Sequence, residues 1–485
     1  MIRQTVLFSG HDASGTLGLW ETNGTAAGTQ EVAGISGADP TGIEPQYLTA
    51  FEGEVLFNGS DTGGNQGLWV TNGATAGTSE LTGINGAAAS LDPSNMLVFN
   101  GEVLFDGTDA SGTASLWVTN GTVPGTRELT GISGASQGGV FTSTNGPDLT
   151  LFNGEVFFDG IDAENTFGLW VTNGTAAGTS EISGISGTSS SFGLEPSDLT
   201  VFDNELLFDG LDTSLANSGL WVTNGTAAGT SELTGIVGAN DQVTPANGDI
   251  TGGLAPTDIT VFNGEALFNG VDASGTASLW VTNGTAVGTS EISGIGGASS
   301  LGLTPTDMTV LNGKVLFNGL DAADNYGLWV TNGTAAGTSE LTGISGAYAG
   351  GLDPTDFAVF GSEVLFTGVD ANGNHAQWVT NGTAAGTREL TGISGSDTAG
   401  GGLFSNIDPN AQAQIAAFNG EVLFQGDDAA GKDGLWVSNG TAAGTSELTG
   451  ISGANLFTAD GSVLGLVPTD MTVFNDEVLF AGYGG

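Results

Sequence analysis

Three series of polar residues recur along the chain at a spacing of about 48 to 59 residues. The first is an Asp that closes a short apolar run and opens a Gly-, Ser- and Asn-rich loop: Asp12, Asp61, Asp109, Asp162, Asp212, Asp272, Asp321, Asp370 and Asp428. Carboxylates in tight loops are ligands for a hard cation such as Ca²⁺. Asp370-Ala371-Asn372-Gly373-Asn374 carries the richest set, with Asp370, Asn372 and Asn374 as candidate ligands. Its sibling loops have Ser or Ala in those places, and the same Asp also reads as the cap of an Asx turn. The second series, Glu31, Glu80, Glu128, Glu181, Glu232, Glu291, Glu340, Glu389 and Glu447, reads as a solvated outer edge that discourages sheet-to-sheet pairing. The third is Asn23, Asn120, Asn173, Asn224, Asn283, Asn332, Asn381 and Asn439, each heading an Asn-Gly-Thr sequon. These are glycosylation acceptors if the host modifies them, or Asn-Gly turns that supply positive φ.

Catalytic patterns are sparse. His11 and His375 fall in turns of different repeats, and no Ser-His-Asp or metal-spaced cluster is present. Glu21, Lys314 and Gln377 depart from the repeat, but they are scattered. The expectation is a protein that is not an enzyme and requires no cofactor, with Ca²⁺ the one its loops would admit.

These residues must be positioned by a repeat. Around each of the nine tryptophans, Trp20, Trp69, Trp117, Trp170, Trp221, Trp280, Trp329, Trp378 and Trp436, the same runs return. In one copy, Ile259 to Phe262 and Glu265 to Phe268 are β-rich runs joined by Asn263-Gly264, a strong hairpin signal. Leu279 to Thr282 and Ser290 to Ile295 follow after turns. Each unit therefore reads as a four-stranded antiparallel meander. The second and third strands are apolar on both faces and must be covered twice, with the tryptophans in the core; the fourth is half exposed. Such units pack radially as propeller blades, giving one repeat domain, 1–485, of nine units; a β-solenoid is the alternative.

The chain opens on a second strand, Val6-Leu7-Phe8, and closes on a first strand followed by another second strand, Val478-Leu479-Phe480, so its ends are permuted within a repeat. Closure within one chain leaves a surplus edge strand. Closure between chains would pair Val478, Leu479 and Phe480 with the next subunit's Val6, Leu7 and Phe8, and build a filament.

Charge narrows the partners. Fifty-three acidic residues stand against five basic ones, Arg3, Arg127, Lys314, Arg388 and Lys432, a formal net charge of -48. Phosphate binding needs clustered Lys and Arg, so nucleic acid is excluded and anionic membrane surfaces are disfavoured. No cysteine is present, which removes disulfides and thiolate chemistry. No apolar window is long enough for a spanning helix, and the first residues enter the repeat at once, so the expectation is export without a cleaved N-terminal signal peptide.

The motif Leu-Trp-x-x-Asn-Gly-Thr-x-x-Gly-Thr resembles the ELWxxDGT repeat family of bacterial proteins, with Gly, Ser or Ala at the family's Glu position and Asn at its Asp. The resemblance implies propeller-like repeats in large surface or secreted proteins and supplies no catalytic residue. The composition also looks like type I secretion cargo. Together these give the functional expectation: a non-enzymatic extracellular structural protein that self-assembles into a surface layer, matrix or filament. The alternative is a propeller lectin that binds glycans or Ca²⁺ between blades. Expected partners are further copies of the chain, and glycans on the alternative reading.

Overall fold

The computed structural model describes residues 6–141, 147–213, 217–240, 253–393, 395–396, 415–418, 420–451, 466–468, 472–473 and 478–479. The fold is all-β and of the β-propeller type. Nine antiparallel meanders follow one another: eight have four strands, and the first, starting at Val6, has three. A hairpin of Thr472–Val473 and Val478–Leu479 follows the ninth. The chain forms two compact units, one of residues 1–112, 117–128 and 343–485, the other of residues 113–116 and 129–342.

Meander 2 shows the local logic. Its strands are Gln46–Phe51, Glu54–Ser60, Gln66–Thr71 and Ser79–Glu80. The hairpin between first and second strands has left-handed residues at both turn positions, as in Asn263 and Gly264 of meander 6 (φ 54° and 79°), the mirror-image geometry that matches strand twist. The first strand carries a bulge, seen as a register shift between Gln46 and Thr49. In meanders 5 to 8 the residue inside that bulge is a left-handed Asp, Asp198, Asp258, Asp307 or Asp356, with φ of 55° to 58°. Asp tolerates this region better than most residues, which accounts for the Pro-Ser-Asp and Pro-Thr-Asp corners in the sequence.

The second and third strands are buried on both faces, as their composition predicts: Val55, Leu56, Phe57, Leu68 and Trp69 are no more than 1% exposed. All nine tryptophans are fully buried. The Trp69 indole N–H donates to the Gly59 carbonyl at 2.8 Å, and its ring stacks on Phe57 at 6.2 Å. A Cβ at Gly59 would lie 2.9 Å from the indole, so the second strand needs glycine there.

The turn after the third strand departs from the hairpin expected of an Asn-Gly pair. In meander 4, Gly174 alone is left-handed (φ 84°) and Asn173 is not. Asn173 instead folds its carboxamide back, accepting from the Thr175 backbone N–H at 3.1 Å and hydroxyl at 2.7 Å. Thr175 then caps a single 3₁₀ turn, Ala176–Gly178. Beneath it the hydroxyls of Thr172 and Thr179 meet at 2.6 Å in a buried setting. The Asn-Gly-Thr-x-x-Gly-Thr signature is the set of groups that satisfies this turn's polar atoms. The fourth strand is shorter than predicted, two or three residues in each meander.

Cores form between successive meanders. In the second unit Phe157 and Leu169 of meander 4 pack with Leu206, Phe208 and Trp221 of meander 5. In the first unit Phe8 and Trp20 of meander 1 pack with Leu423, Leu435 and Leu448 of meander 9. The last meander therefore closes on the first, which a linear solenoid would not do. The hairpin strand Val478–Leu479 lies beside Val6–His11 of the same chain, and Thr472–Val473 lies near the first strands of meanders 2 and 9. Phe480 lies outside the described residues.

These contacts separate two glycines eight residues apart. Gly59→Ala drives a methyl into Trp69 and Phe57, and overpacking of this kind costs about 1–3 kcal/mol. At Gly67 the added Cβ meets only the carboxylate of Glu80, 2.5 Å away on a flexible side chain; meander 8 carries Ala376 at this position. Denaturant unfolding of the two variants should show a clear loss for Gly59→Ala and a change below about 0.5 kcal/mol for Gly67→Ala.

Candidate functional site: an acidic face on meanders 4 to 6

The structure places Asp370 in a closed Asx turn. One carboxylate oxygen accepts from the backbone N–H groups of Asn372 and Asn374, both at 2.8 Å, and the other from their side-chain amides at 3.1 and 3.4 Å. Partial burial would raise its pKa, but these bonds outweigh it and hold the carboxyl below the usual range. The three candidate ligands meet, and the Asp370 carboxylate accepts from the amide groups of both asparagines. The sequon asparagines are likewise folded onto their own turns; a Cβ at Gly28 would lie 2.0 Å from Asn23 Oδ1.

The outer glutamates are not simply a solvated edge. Glu80 lies over Gly67, Glu232 over Gly219 and Glu340 over Gly327, which explains the small residue at the start of the third strand. Partial burial, with the loop Asp of the same meander, raises the carboxyls of Glu31, Glu80, Glu181, Glu232, Glu340, Glu389 and Glu447. In meander 5 this pair, Asp212 and Glu232, lines a cavity of about 270 Å³ together with Asn217, Asn240 and Leu254.

The most unusual electrostatics lie at the other edge. Asp159 and Asp209 occupy one place in the second strands of meanders 4 and 5, Glu155–Ile161 and Glu205–Leu211. Burial, followed by Glu195 and Asp148, pushes Asp159 up to about 8. Burial pushes Asp209 up to about 7; the hydroxyl of Ser218 donates to it, and Asp198 adds repulsion. Glu195 sits in the connector between these meanders. It is fixed by its left-handed backbone (φ 43°) and an N–H bond to the Phe167 carbonyl, and partial burial raises its carboxyl.

Three further carboxylates stand on the surface in front. Asp148 accepts from the Leu199 N–H at 3.0 Å, tying the first-strand regions of meanders 4 and 5 together. Partial desolvation and Asp148 raise Asp198; partial desolvation and Asp198 raise Asp258. Six carboxylates thus form a chain of interactions across the first and second strands and the connectors of meanders 4 to 6. Lys314, the one basic residue in this unit, is exposed at the start of a strand in meander 7 and is not among the groups acting on them. Among the described residues no three His, Cys, Asp or Glu side chains converge closely enough to chelate a metal. The arrangement suits protonation or charged donors spread over several positions.

This cluster was open to sequence reasoning and escaped it. The place held by Asp159 and Asp209 reads Ser9, Asn58, Asp106, Asp159, Asp209, Asn269, Asn318, Thr367 and Gln425 along the nine repeats. The signal is Phe-Asp-Gly in place of Phe-Asn-Gly in three consecutive units.

No family model and no curated protein matches the chain. Solved structures resemble it at low identity. They include puromycin hydrolase (14% identity, TM-score 0.36, covering 88% of this chain and 61% of that one). A prolyl endopeptidase matches at 11% identity and TM-score 0.40, covering 81% and 54%. The β-propeller domain of the Trilobed protease from Pyrococcus furiosus matches at 8% and 0.34, covering 84% and 97%. The chain spans about three fifths of the length of the first of these. These neighbours correct two expectations. The solved structures named here are a hydrolase, an endopeptidase and a protease's propeller domain rather than self-assembling surface-layer, matrix or filament subunits or lectins, so the non-enzymatic extracellular scaffold and the statement that the chain is not an enzyme are both withdrawn. At such identities the likeness concerns the fold alone and brings no peptidase activity to this chain.

Raised carboxyls fix the sign of a pH effect. The folded protein keeps protons on Asp159 and Asp209 that the unfolded chain, with an ordinary value of 3.8, has released. Stability from these groups is therefore full below about pH 4 and is lost as pH rises through about 7 and 8. Melting followed by circular dichroism at fixed ionic strength should fall between pH 5 and 8.5. Asp159→Asn with Asp209→Asn should flatten the upper half of that decline, and a wild-type profile without slope above pH 6 would contradict the assignment.

Proposed function

We propose that this protein is a ligand-binding propeller whose acidic face on meanders 4 to 6 takes a peptide segment bearing Lys or Arg side chains. The observation that carries this reading is the gathering of Asp159, Glu195, Asp198, Asp209 and Asp258, all with raised carboxyls, around Asp148, with no basic side chain among the described residues acting on them. Like charges held together are relieved by an incoming cation, and ammonium or guanidinium groups form charge-assisted bonds to carboxylates in such settings. The donors of an extended basic peptide are spaced along a chain, as the carboxylates are spaced along neighbouring strands. The strong negative charge of the whole molecule adds long-range steering of a positive partner. An exported setting fits the cysteine-free acidic composition. On this reading the ELWxxDGT-like motif is scaffold, since its Trp, Thr and Gly positions are spent on packing and turn closure.

Fluorescence anisotropy with a labelled oligolysine peptide, and an oligoglutamate control, tests the proposal at about 0.15 M salt. Affinity should rise from pH 6 to 8.5 as Asp209 and Asp159 ionise. Asp198→Asn with Asp258→Asn should weaken binding about tenfold or more, equivalent to about 1.4 kcal/mol. Glu155→Gln with Glu265→Gln removes the same charge from exposed positions elsewhere in the unit and should leave binding nearly unchanged. Equal losses in the two double variants would reduce the effect to net charge and sink the reading.

A further inference from the structure

The interface between meanders 2 and 3, in the other unit, carries a second set of polar groups. Asn58 is 1% exposed, on the second strand of meander 2. Its side-chain N–H donates to Asp92 Oδ1 at 2.9 Å, while its own Oδ1 is buried and has no hydrogen-bond partner. Asp106, the matching residue of meander 3, is close enough to Asp92 to be repelled by it, and its Oδ1 is also buried and without a partner. Asp92 is held between the two meanders. Its left-handed backbone (φ 49°) donates to the Gln66 carbonyl at 3.0 Å, and Thr108 N–H donates to the adjacent Leu91 carbonyl at 2.7 Å.

Two acceptors are left over here. Asp92 is exposed and open to solvent, and the Ser94 hydroxyl and the Gly107 N–H serve Asp106, but the Oδ1 atoms of Asn58 and Asp106 remain buried and unpaired. A buried acceptor left unpaired costs about 1–3 kcal/mol, and native structures fill such places with water or an ion. Two carboxylates and an amide oxygen are hard oxygen ligands, and water can complete their shell. We infer that Asn58, Asp92 and Asp106 form a site for a divalent cation of the Ca²⁺ class, which pins meander 2 to meander 3. The amide of Asn58 turns its Oδ1 to the ion on binding and gives up its bond to Asp92. The proposal is independent of the basic-peptide reading, whose residues lie in the other unit.

Calorimetric titration of CaCl₂ into the chelator-treated full chain, at pH 7.5 and about 0.15 M KCl, tests it. Wild type should show a saturable site with Kd in the range of about 0.1–1 mM, as in extracellular calcium modules, and a melting temperature that rises with Ca²⁺. Asp106→Asn should abolish that heat and that rise while the metal-free protein still melts cooperatively, since Asn occupies the equivalent place in meanders 2, 6 and 7. Asp92→Asn is the second variant and should behave the same way. Equal Ca²⁺ heats and melting shifts in wild type and both variants would mean general charge screening and would overturn the site. So would a wild type that gives no saturable heat.

Discussion

The contact between each buried indole and the glycine of the facing strand sets the geometry of the meander. The indole N–H donates to that glycine's carbonyl in eight of the nine meanders, at 2.7 to 3.1 Å. The ring also lies where the glycine's side chain would be. Sliding the second strand by one residue would place a side chain against the ring and move the carbonyl out of reach, so register and side-chain direction are fixed together. The same ring stacks on the phenylalanine two residues before the glycine, which leaves the other face of both strands apolar. That face is covered by the next meander, and each core cluster accordingly draws on two successive units.

A fold of this kind must also dispose of the polar groups at the ends of its buried strands. The paired threonine hydroxyls beneath the 3₁₀ turn and the asparagine folded over its glycine do this with groups of the same unit. Local satisfaction is why the motif can be copied from unit to unit while the connectors between units change length. It also removes these groups from any ligand. The loop aspartates follow the same economy, as the closed turn around Asp370 shows.

Much of the architecture was legible in the sequence because periodic apolar runs and Asn-Gly hairpins report on local geometry. The doubly buried strands and the core tryptophans were both readable in this way. Other features were not, because their causes lie across strands or between units. Nothing in Asn173-Gly174 says that a threonine two residues on will cap it into a 3₁₀ turn rather than let it close a hairpin. Glu232 reads as an exposed edge until the third strand brings Gly219 beneath it. Attention to recurring residues also hid the acidic face. Asp159 and Asp209 differ from the asparagine of other units by one atom, and only burial and the neighbours Glu195, Asp148 and Asp198 give that difference its weight.

That one-atom difference bears on why the carboxylates are there. Asn269 and Asn318 occupy the same strand position in meanders with the same register. The backbone therefore does not need an acid at this place. An amide there carries no desolvation penalty of the kind that pushes Asp159 up to about 8, so stability alone would favour asparagine. Three consecutive units, meanders 3 to 5, nonetheless carry Asp. In each, another acid sits alongside: Asp92 by Asp106, Glu195 by Asp159, Asp198 by Asp209. A cost met repeatedly at positions where the fold offers a cheaper residue is evidence of a requirement outside folding. On the proposed reading, positive charge brought by a ligand cancels it, since the chain has only five basic residues of its own.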